Sequence, residues 1–247
     1  MRKLNLFAAA CLVTGAALVL YTAYRILDPG AGRIQRQLTV KLHTHWNERP
    51  RQLTVRLGQP FAIMRIPRLG ARWRFAIVEG TALRQLAEGP GHVQGTALPG
   101  VPGNFAVAAH DITAGNPFLH LGSLRRGDSV IVQTAYARYR YAVRTEHVVR
   151  YTDTPVLDPV PGHPYARPTT PFITLITCTP VTLAFTPWRI VVTGTLVQIT
   201  PRQGYGQSAP ARSARARSAT AGSATTPGQA GPLGSPARQE GAAGAYA

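Results

Sequence analysis

The fold of this chain is decided by the segment Phe172-Ile173-Thr174-Leu175-Ile176-Thr177-Cys178-Thr179-Pro180. Its β-branched and apolar residues predict a strand that ends at a cysteine. Pro180 cannot continue a central strand because proline has no backbone N–H to donate. After a short loop, the run Trp188-Arg189-Ile190-Val191-Val192 predicts another strand. If the two strands are antiparallel neighbours, the end of the first lies beside the start of the second, so Cys178 lies within side-chain reach of Arg189.

Cys178 is the only cysteine outside the apolar N-terminal stretch, which contains Cys11. A solitary cysteine is either an inert core residue or a reactive thiol, and a zinc site of the Cys-rich kind is excluded. A neighbouring arginine favours the thiolate and can also stabilise an oxyanion. The pair Cys178 and Arg189 therefore points to nucleophilic chemistry.

Acyl transfer by a thiol requires a proton partner, and histidine is the natural one. His110 follows the apolar run Asn104–Ala109, so it stands where a predicted strand enters a loop. The residues alone favour His110 only by this position. Four other histidines can be proposed on spacing alone: His92, His120, His147 and His163.

Outward from this segment, the chain predicts an all-β domain over residues 61–200. The strands are separated by Gly-, Pro-, Asn- and Asp-rich turns, which is typical of a closed barrel or a sandwich. The predicted strands are Phe61–Ile66, Arg74–Glu79, Asn104–Ala109, Ser129–Thr134, Ala137–Tyr151, Phe172–Cys178 and Trp188–Gln198. Short helices are predicted at Thr81–Ala87 and Pro117–Leu124.

The N-terminus predicts an uncleaved membrane anchor over residues 1–25. Leu4 to Tyr24 carries no charge and is long enough to span a bilayer core as a helix. No small-residue cleavage site follows it, which argues against a signal peptide. Basic residues flank both ends, so charge alone leaves the orientation open.

Two further segments flank the barrel. Residues 26–60 are predicted to be a juxtamembrane linker, within which residues 36–42 and 51–57 form a short duplication. Each copy alternates apolar and polar residues and predicts a strand. Residues 201–247 are rich in Ala, Gly, Ser, Pro and Arg and nearly lack large apolar side chains, so a disordered tail is predicted.

The formal net charge of +17 comes almost entirely from arginine. Such a charge attracts polyanions, for example nucleic acid, anionic lipid or phosphate-rich wall polymer. The arginines are scattered and form no dense run or helical stripe, so general composition explains most of the charge. No nucleic-acid partner is predicted.

Five features of the sequence resemble the sortase family. Thr174-Leu175-Ile176-Thr177-Cys178 is similar to the family's Thr-Leu-x-Thr-Cys signature, and Arg189 follows at the usual interval. The segment Asn104–His110 resembles the lead into the sortase histidine. The stretches Ile66–Gly70 and Gly89–Gly100 resemble two earlier landmarks. The resemblance is greatest to class E, with class D as the near alternative.

The resemblance implies a closed sortase-type β-barrel that acts as a cysteine transpeptidase at the plasma membrane, with its catalytic domain outside the cell. It implies that Cys178 is the nucleophile, His110 the acid/base and Arg189 the oxyanion stabiliser. The residues beside them, Thr177, Ala109 and Thr179, are expected to contact substrate. Where the family commonly has Gly-His-Arg, this chain has Ala-His-Asp at residues 109–111, and Thr179 replaces a larger polar residue.

The implied substrates are secreted proteins that carry a sorting signal of the Leu-Pro-x-Thr-Gly or Leu-Ala-x-Thr-Gly type, cut between Thr and Gly. The implied acceptor is an amine of a peptidoglycan precursor or of a pilin lysine. The resemblance requires no metal or organic cofactor. The alternative is a non-catalytic, membrane-anchored basic β-barrel that binds anionic envelope polymer and in which Cys178 is merely packed.

Overall fold

Eight strands form the body of the protein in a computed structural model. The structure describes residues 2–27, 29–48, 53, 55–181 and 186–202. In chain order the strands are β1 (Pro60–Arg65), β2 (Arg74–Glu79), β3 (Gly91–His92), β4 (Gly103–Ala108), β5 (Ser129–Gln133), β6 (Ala137–Arg150), β7 (Pro171–Thr179) and β8 (Trp188–Pro201). The helices are α1 (Arg2–Leu27), α2 (Pro29–Glu48) and α3 (Leu83–Leu86), with 3₁₀ turns at Pro67–Leu69, Leu121–Ser123 and Thr154–Leu157.

The strands close into a barrel in the order β1-β2-β3-β4-β7-β8-β6-β5. β1 pairs antiparallel with both β2 and β5, and this double pairing closes the sheet. Two neighbouring pairs are parallel, β2 with β3 and β4 with β7. The predicted all-β closed barrel is confirmed, and each of the seven strands predicted within residues 61–200 is present within a few residues of its expected limits.

Two details differ from the prediction. β3 was not predicted, because two residues are too few to show an alternating pattern. The helix predicted at Pro117–Leu124 is reduced to the 3₁₀ turn Leu121–Ser123, and α3 covers only the middle of Thr81–Ala87. Inside the barrel, aromatic and aliphatic side chains from every strand except β3 form one core that includes Phe61, Phe105, Phe118 and Tyr141.

The strand prediction for residues 36–42 is wrong, because this copy of the duplication lies within α2. The alternation of apolar and polar residues within this short copy is part of a longer pattern of buried residues with helical spacing. Ala31, Gln35, Leu42 and Trp46 are buried, at helical spacings of four, seven and four residues. The second copy forms no strand where it is described, and Leu57 makes only an isolated bridge to Glu79.

α2 is therefore a packed part of the domain instead of a plain linker. Leu42 and Trp46 pack against Ile63 and Ala76 on the outside of the barrel. The side chain of Gln35 accepts a hydrogen bond from the N–H of Ala76 at 2.7 Å.

The predictions for the two termini have different outcomes. α1 contains the predicted anchor. Within the described residues, no helix combines the length and the apolar character needed to cross a bilayer. The disorder predicted for residues 201–247 falls almost wholly on residues 203–247, which lie outside the described residues, and β8 itself runs to Pro201.

Trp46→Ala should lower the free energy of unfolding by about 3 kcal/mol, because removing a buried aromatic ring leaves a cavity. Trp46 is 2% exposed, and the guanidinium of Arg202 lies 5.2 Å from its ring centroid. Denaturant unfolding measures the change. Val40→Ala on the same helix is the control, since Val40 is 64% exposed and should change stability by less than about 0.5 kcal/mol. Equal stability of both variants would show that α2 does not stabilise the barrel.

Candidate active site

Cys178 and Arg189 lie directly opposite each other where β7 ends and β8 begins. The antiparallel register pairs Cys178 with Arg189 and Thr179 with Trp188. Side chains of directly opposed residues in antiparallel strands project from the same face of the sheet. The neighbour relation expected from the sequence is therefore present. Residues 182–185 of the connecting loop lie outside the described residues.

His110 joins this pair from the other side of β7. β4 runs parallel to β7 with Ala108 beside Ile176, and the N–H of Ala109 donates to the carbonyl of Ile176 at 3.1 Å. His110 and Cys178 each lie two residues beyond the Ala108–Ile176 pair, so both stand at the same end of the barrel. His110 and Cys178 are both half-buried.

The threonines of the motif hold β7 to β4. The hydroxyl of Thr177 donates to the carbonyl of Ala109 at 2.9 Å, next to His110. The hydroxyl of Thr174 donates to Oδ1 of Asn104 at 2.7 Å. Thr177 is only 3% exposed. These bonds fix the spacing between the strand that carries the thiol and the strand that carries the imidazole.

Contact of Thr177, Ala109 and Thr179 with substrate stays a prediction. Thr177 and Ala109 are buried, and they are joined by the bond just described. Thr179 is half-buried, and its carbonyl accepts a hydrogen bond from the hydroxyl of Thr186 at 2.5 Å. Of the three, Thr179 has the most surface to offer a peptide.

Arg189 is 4% exposed, so its guanidinium is a buried charge. Nη1 donates to the carbonyl of Thr186 at 2.6 Å and to that of Trp188 at 2.9 Å. The guanidinium also lies 6.0 Å from the ring centroid of Tyr151. These contacts hold the planar group in one orientation, as a fixed hydrogen-bond donor requires.

None of the other histidines proposed on spacing shares this position. His92 is buried, with Nδ1 2.6 Å from Oε2 of Glu79 and Nε2 2.9 Å from the hydroxyl of Thr96, and it packs between Phe61 and Phe105. It is a structural residue of the barrel core. The side chains of His120, His147 and His163 are exposed, whereas His110 is half-buried directly after the end of β4.

Burial moves the pKa values of the two candidate reactive groups apart. Desolvation raises the pKa of Cys178, and the charge of Arg189 partly opposes this shift. Desolvation lowers the pKa of His110, and the carboxylate of Asp111 partly opposes it. Both shifts favour the neutral thiol and the neutral imidazole over the thiolate–imidazolium pair.

Asp111 belongs to this cluster, and no role was predicted for it from the sequence. Only its departure from the family's Gly-His-Arg pattern could have drawn attention to it. Asp111 is 5% exposed, and its Oδ1 accepts a hydrogen bond from the N–H of Ile112 at 2.9 Å. Burial raises the pKa of its carboxyl.

The outer face of the sheet beside the cluster is apolar. Ala108, Ile176 and Val191 are buried there under Leu86 and the 3₁₀ turn Thr154–Leu157. A cavity of about 710 Å³ lies between the β6–β7 connection and strands β6 and β8, and neither Cys178 nor His110 lines it. Among the described residues, no group of three or more His, Cys, Asp or Glu side chains is placed to hold a metal ion.

Comparison with known proteins identifies the family. Residues 64–197 match the family model of the Sortase domain. The chain belongs to the sortase family. Sortase SrtE1 from Streptomyces coelicolor is 30% identical over 203 residues, which cover 77% of this chain and 56% of that protein. The chain spans about half the length of the curated relatives it matches.

Solved sortase structures share the fold. Sortase E from Streptomyces avermitilis is 37% identical with a TM-score of 0.54, covering 62% of this chain and 97% of that chain. Sortase E1 from S. coelicolor, solved with a tripeptide in its active site, is 30% identical with a TM-score of 0.54, covering 63% and 98%. These similarities are consistent with class E. Sortases are membrane-associated cysteine transpeptidases of the cell surface, acting on proteins that carry a sorting signal and on amine acceptors.

Proposed function

We propose that this sortase cleaves a sorting signal of the Leu-Pro-x-Thr-Gly or Leu-Ala-x-Thr-Gly type between Thr and Gly and transfers the protein to an amine. One observation carries the proposal: Cys178 lies opposite the buried Arg189, and His110 stands at the neighbouring strand end. Family membership supports the same chemistry.

In the first half-reaction, the thiolate of Cys178 attacks the carbonyl carbon of the signal threonine. The carbonyl oxygen becomes an oxyanion, which the guanidinium of Arg189 stabilises. As the tetrahedral intermediate collapses, the C–N bond to glycine breaks and the imidazolium of His110 donates its proton to the leaving amine. The product is a thioacyl enzyme with a neutral His110.

In the second half-reaction, an acceptor amine attacks the thioacyl carbon. The neutral imidazole of His110 takes the proton that the amine loses as the new amide forms, and Cys178 leaves as the thiolate. The ion pair that began the cycle is restored. We assign the acceptor to an amine of a peptidoglycan precursor or of a pilin lysine, as the family implies.

We propose that the chain works at the outer face of the plasma membrane, with residues 1–25 as the anchor. The support comes from the uncharged stretch 4–24 and from the family's location at the cell surface. The catalytic unit would comprise the barrel together with α2, because α2 packs on the outside of β1 and β2. The tail, residues 201–247, would be dispensable for the chemistry.

The competing function is a non-catalytic basic barrel with a packed, inert Cys178. Against it, Cys178 is half-buried and stands opposite a guanidinium. An inert core cysteine is fully buried among apolar groups.

Capture of the thioacyl intermediate tests the proposed function. The full chain in neutral detergent is mixed with a sorting-signal peptide that ends beyond the glycine, without an acceptor amine, and the intact protein is weighed by mass spectrometry. The expected adduct has the mass of the fragment up to threonine, and it is mapped to Cys178. The matched control replaces the peptide's threonine by valine. With Leu-Pro and Leu-Ala peptides both tested, the absence of any adduct on a folded, thiol-reactive protein would contradict the proposal.

A further inference from the structure

Asp111 is a buried carboxylate beside the proposed acid/base. It directly follows His110 in the loop after β4 and is 5% exposed. Its Oδ1 is bonded to the N–H of Ile112. Its Oδ2 is buried and has no hydrogen-bond partner among the described residues. Burying a carboxylate with an unsatisfied oxygen is unfavourable, so such a group calls for a functional reason.

Three charged or titratable groups from three elements lie close enough to Asp111 to interact with its charge. They are His110 on its own loop, Cys178 at the end of β7 and Arg189 at the start of β8. The β4–β7 register accounts for this closeness, since residues 110 and 178 both lie two positions beyond the Ala108–Ile176 pair. Asp111 thus forms a four-membered cluster with the three proposed catalytic residues.

We infer that Asp111 is a positioning residue, whose buried negative charge sets the pH range in which Cys178 and His110 hold their reactive states. The inference rests on the proposed function for the roles of those two residues. The Oδ2 atom of Asp111 is buried, so the carboxylate acts on Cys178 and His110 through its charge and does not contact substrate.

The direction of the effect follows from the charges. A carboxylate stabilises the imidazolium and so raises the pKa of His110, and it destabilises the thiolate and so raises the pKa of Cys178. Both limits of the active pH range are therefore moved upward.

The fraction of enzyme that holds the thiolate–imidazolium pair responds to the charge of Asp111 differently from the two limits of the active pH range. It depends on the difference between the two pKa values, and Asp111 shifts both in the same direction. Removing the charge should therefore move the bell-shaped profile along the pH axis while its maximum changes only a few-fold. A group with a merely structural role would lower the maximum and leave the limbs in place.

Asp111→Asn in the full chain tests the inference, because it keeps the shape and removes the charge. The rate of iodoacetamide alkylation is measured against pH in a Cys11→Ser background, so that only Cys178 reacts. The midpoint of the alkylation curve should move to lower pH in Asp111→Asn and stay near its original value in Asp111→Glu, which keeps the charge. A midpoint that does not move in a folded Asp111→Asn protein would overturn the inference.

Asp158→Asn is the matched control. Asp158 also has a buried Oδ2 without a partner among the described residues, but it follows the 3₁₀ turn Thr154–Leu157 and not His110. Its alkylation curve should coincide with that of the unmodified protein, and an equal shift would show that the effect is not specific to Asp111.

The alkylation assay does not need transpeptidation, so it separates failure of this inference from failure of the proposed function. With a sorting-signal peptide as substrate, both limbs of the kcat/KM profile should also move to lower pH. Loss of activity with both limbs unmoved would assign Asp111 a structural role and contradict the inference.

Discussion

Replacing Cys178 by alanine is expected to abolish transpeptidation, with a loss on the order of 10⁴-fold or more, because no thioacyl intermediate can form without the thiol. The barrel should remain folded, since Cys178 is half-buried at a strand end and does not belong to the central core. Cleavage of a sorting-signal peptide and thermal unfolding are measured in parallel. Cys11→Ala is the matched control and should keep full activity. Activity in Cys178→Ala would eliminate the thioacyl mechanism.

His110→Ala should cause a comparable loss, because both half-reactions route a proton through the imidazole. His120→Ala, His147→Ala and His163→Ala are suitable controls, since these side chains are exposed. His92 is unsuitable, because its replacement would leave Glu79 buried without a partner. If one of the three controls lost activity while His110→Ala kept it, the acid/base assignment would be wrong.

Arg189→Lys should lower the transpeptidation rate by about 10²–10³-fold while Cys178 stays reactive toward alkylating reagents. Lysine keeps the positive charge that lowers the pKa of Cys178. It does not keep the planar fork that the carbonyls of Thr186 and Trp188 hold in place. The Arg189→Lys variant therefore loses the hydrogen-bonding geometry of the guanidinium while it keeps the positive charge. The measurement is kcat for a sorting-signal peptide beside the alkylation rate of the same preparation.

Two other results of the Arg189→Lys experiment have clear meanings. Near-normal turnover would rule out a geometric role for the guanidinium. A parallel loss of turnover and thiol reactivity would assign Arg189 to the charge of Cys178 alone, provided that the variant unfolds at the same temperature as the unmodified protein. Arg150→Lys is a matched control, because Arg150 is an exposed arginine whose guanidinium lies 5.1 Å from the ring centroid of Trp188.

Local pattern was enough to predict the strands that form the site. Phe172–Pro180 and Trp188–Val192 are strongly apolar, and Pro180 marks where the first strand must stop. Antiparallel pairing of two strands joined by a short loop then brings Cys178 opposite Arg189 without further information. The pattern of apolar and polar residues gave a wrong prediction where the segment considered was too short. The alternation at residues 36–42 conceals the helical period that buries Gln35, Leu42 and Trp46.

By itself, then, the sequence determined an all-β domain, its strand ends and the pair Cys178 and Arg189, because these depend on periodicity and on chain breaks that neighbouring residues encode. The closed barrel and the choice of His110 came from the resemblance to sortases. Only the tertiary structure decided that β4 lies parallel to β7, so that His110 and not His92 stands at the same end of the barrel as the thiol. It also decided that Asp111 is buried among the three. Pairing between strands distant in the chain and the desolvation of a charge depend on what the rest of the chain places around them, and no local pattern carries that information.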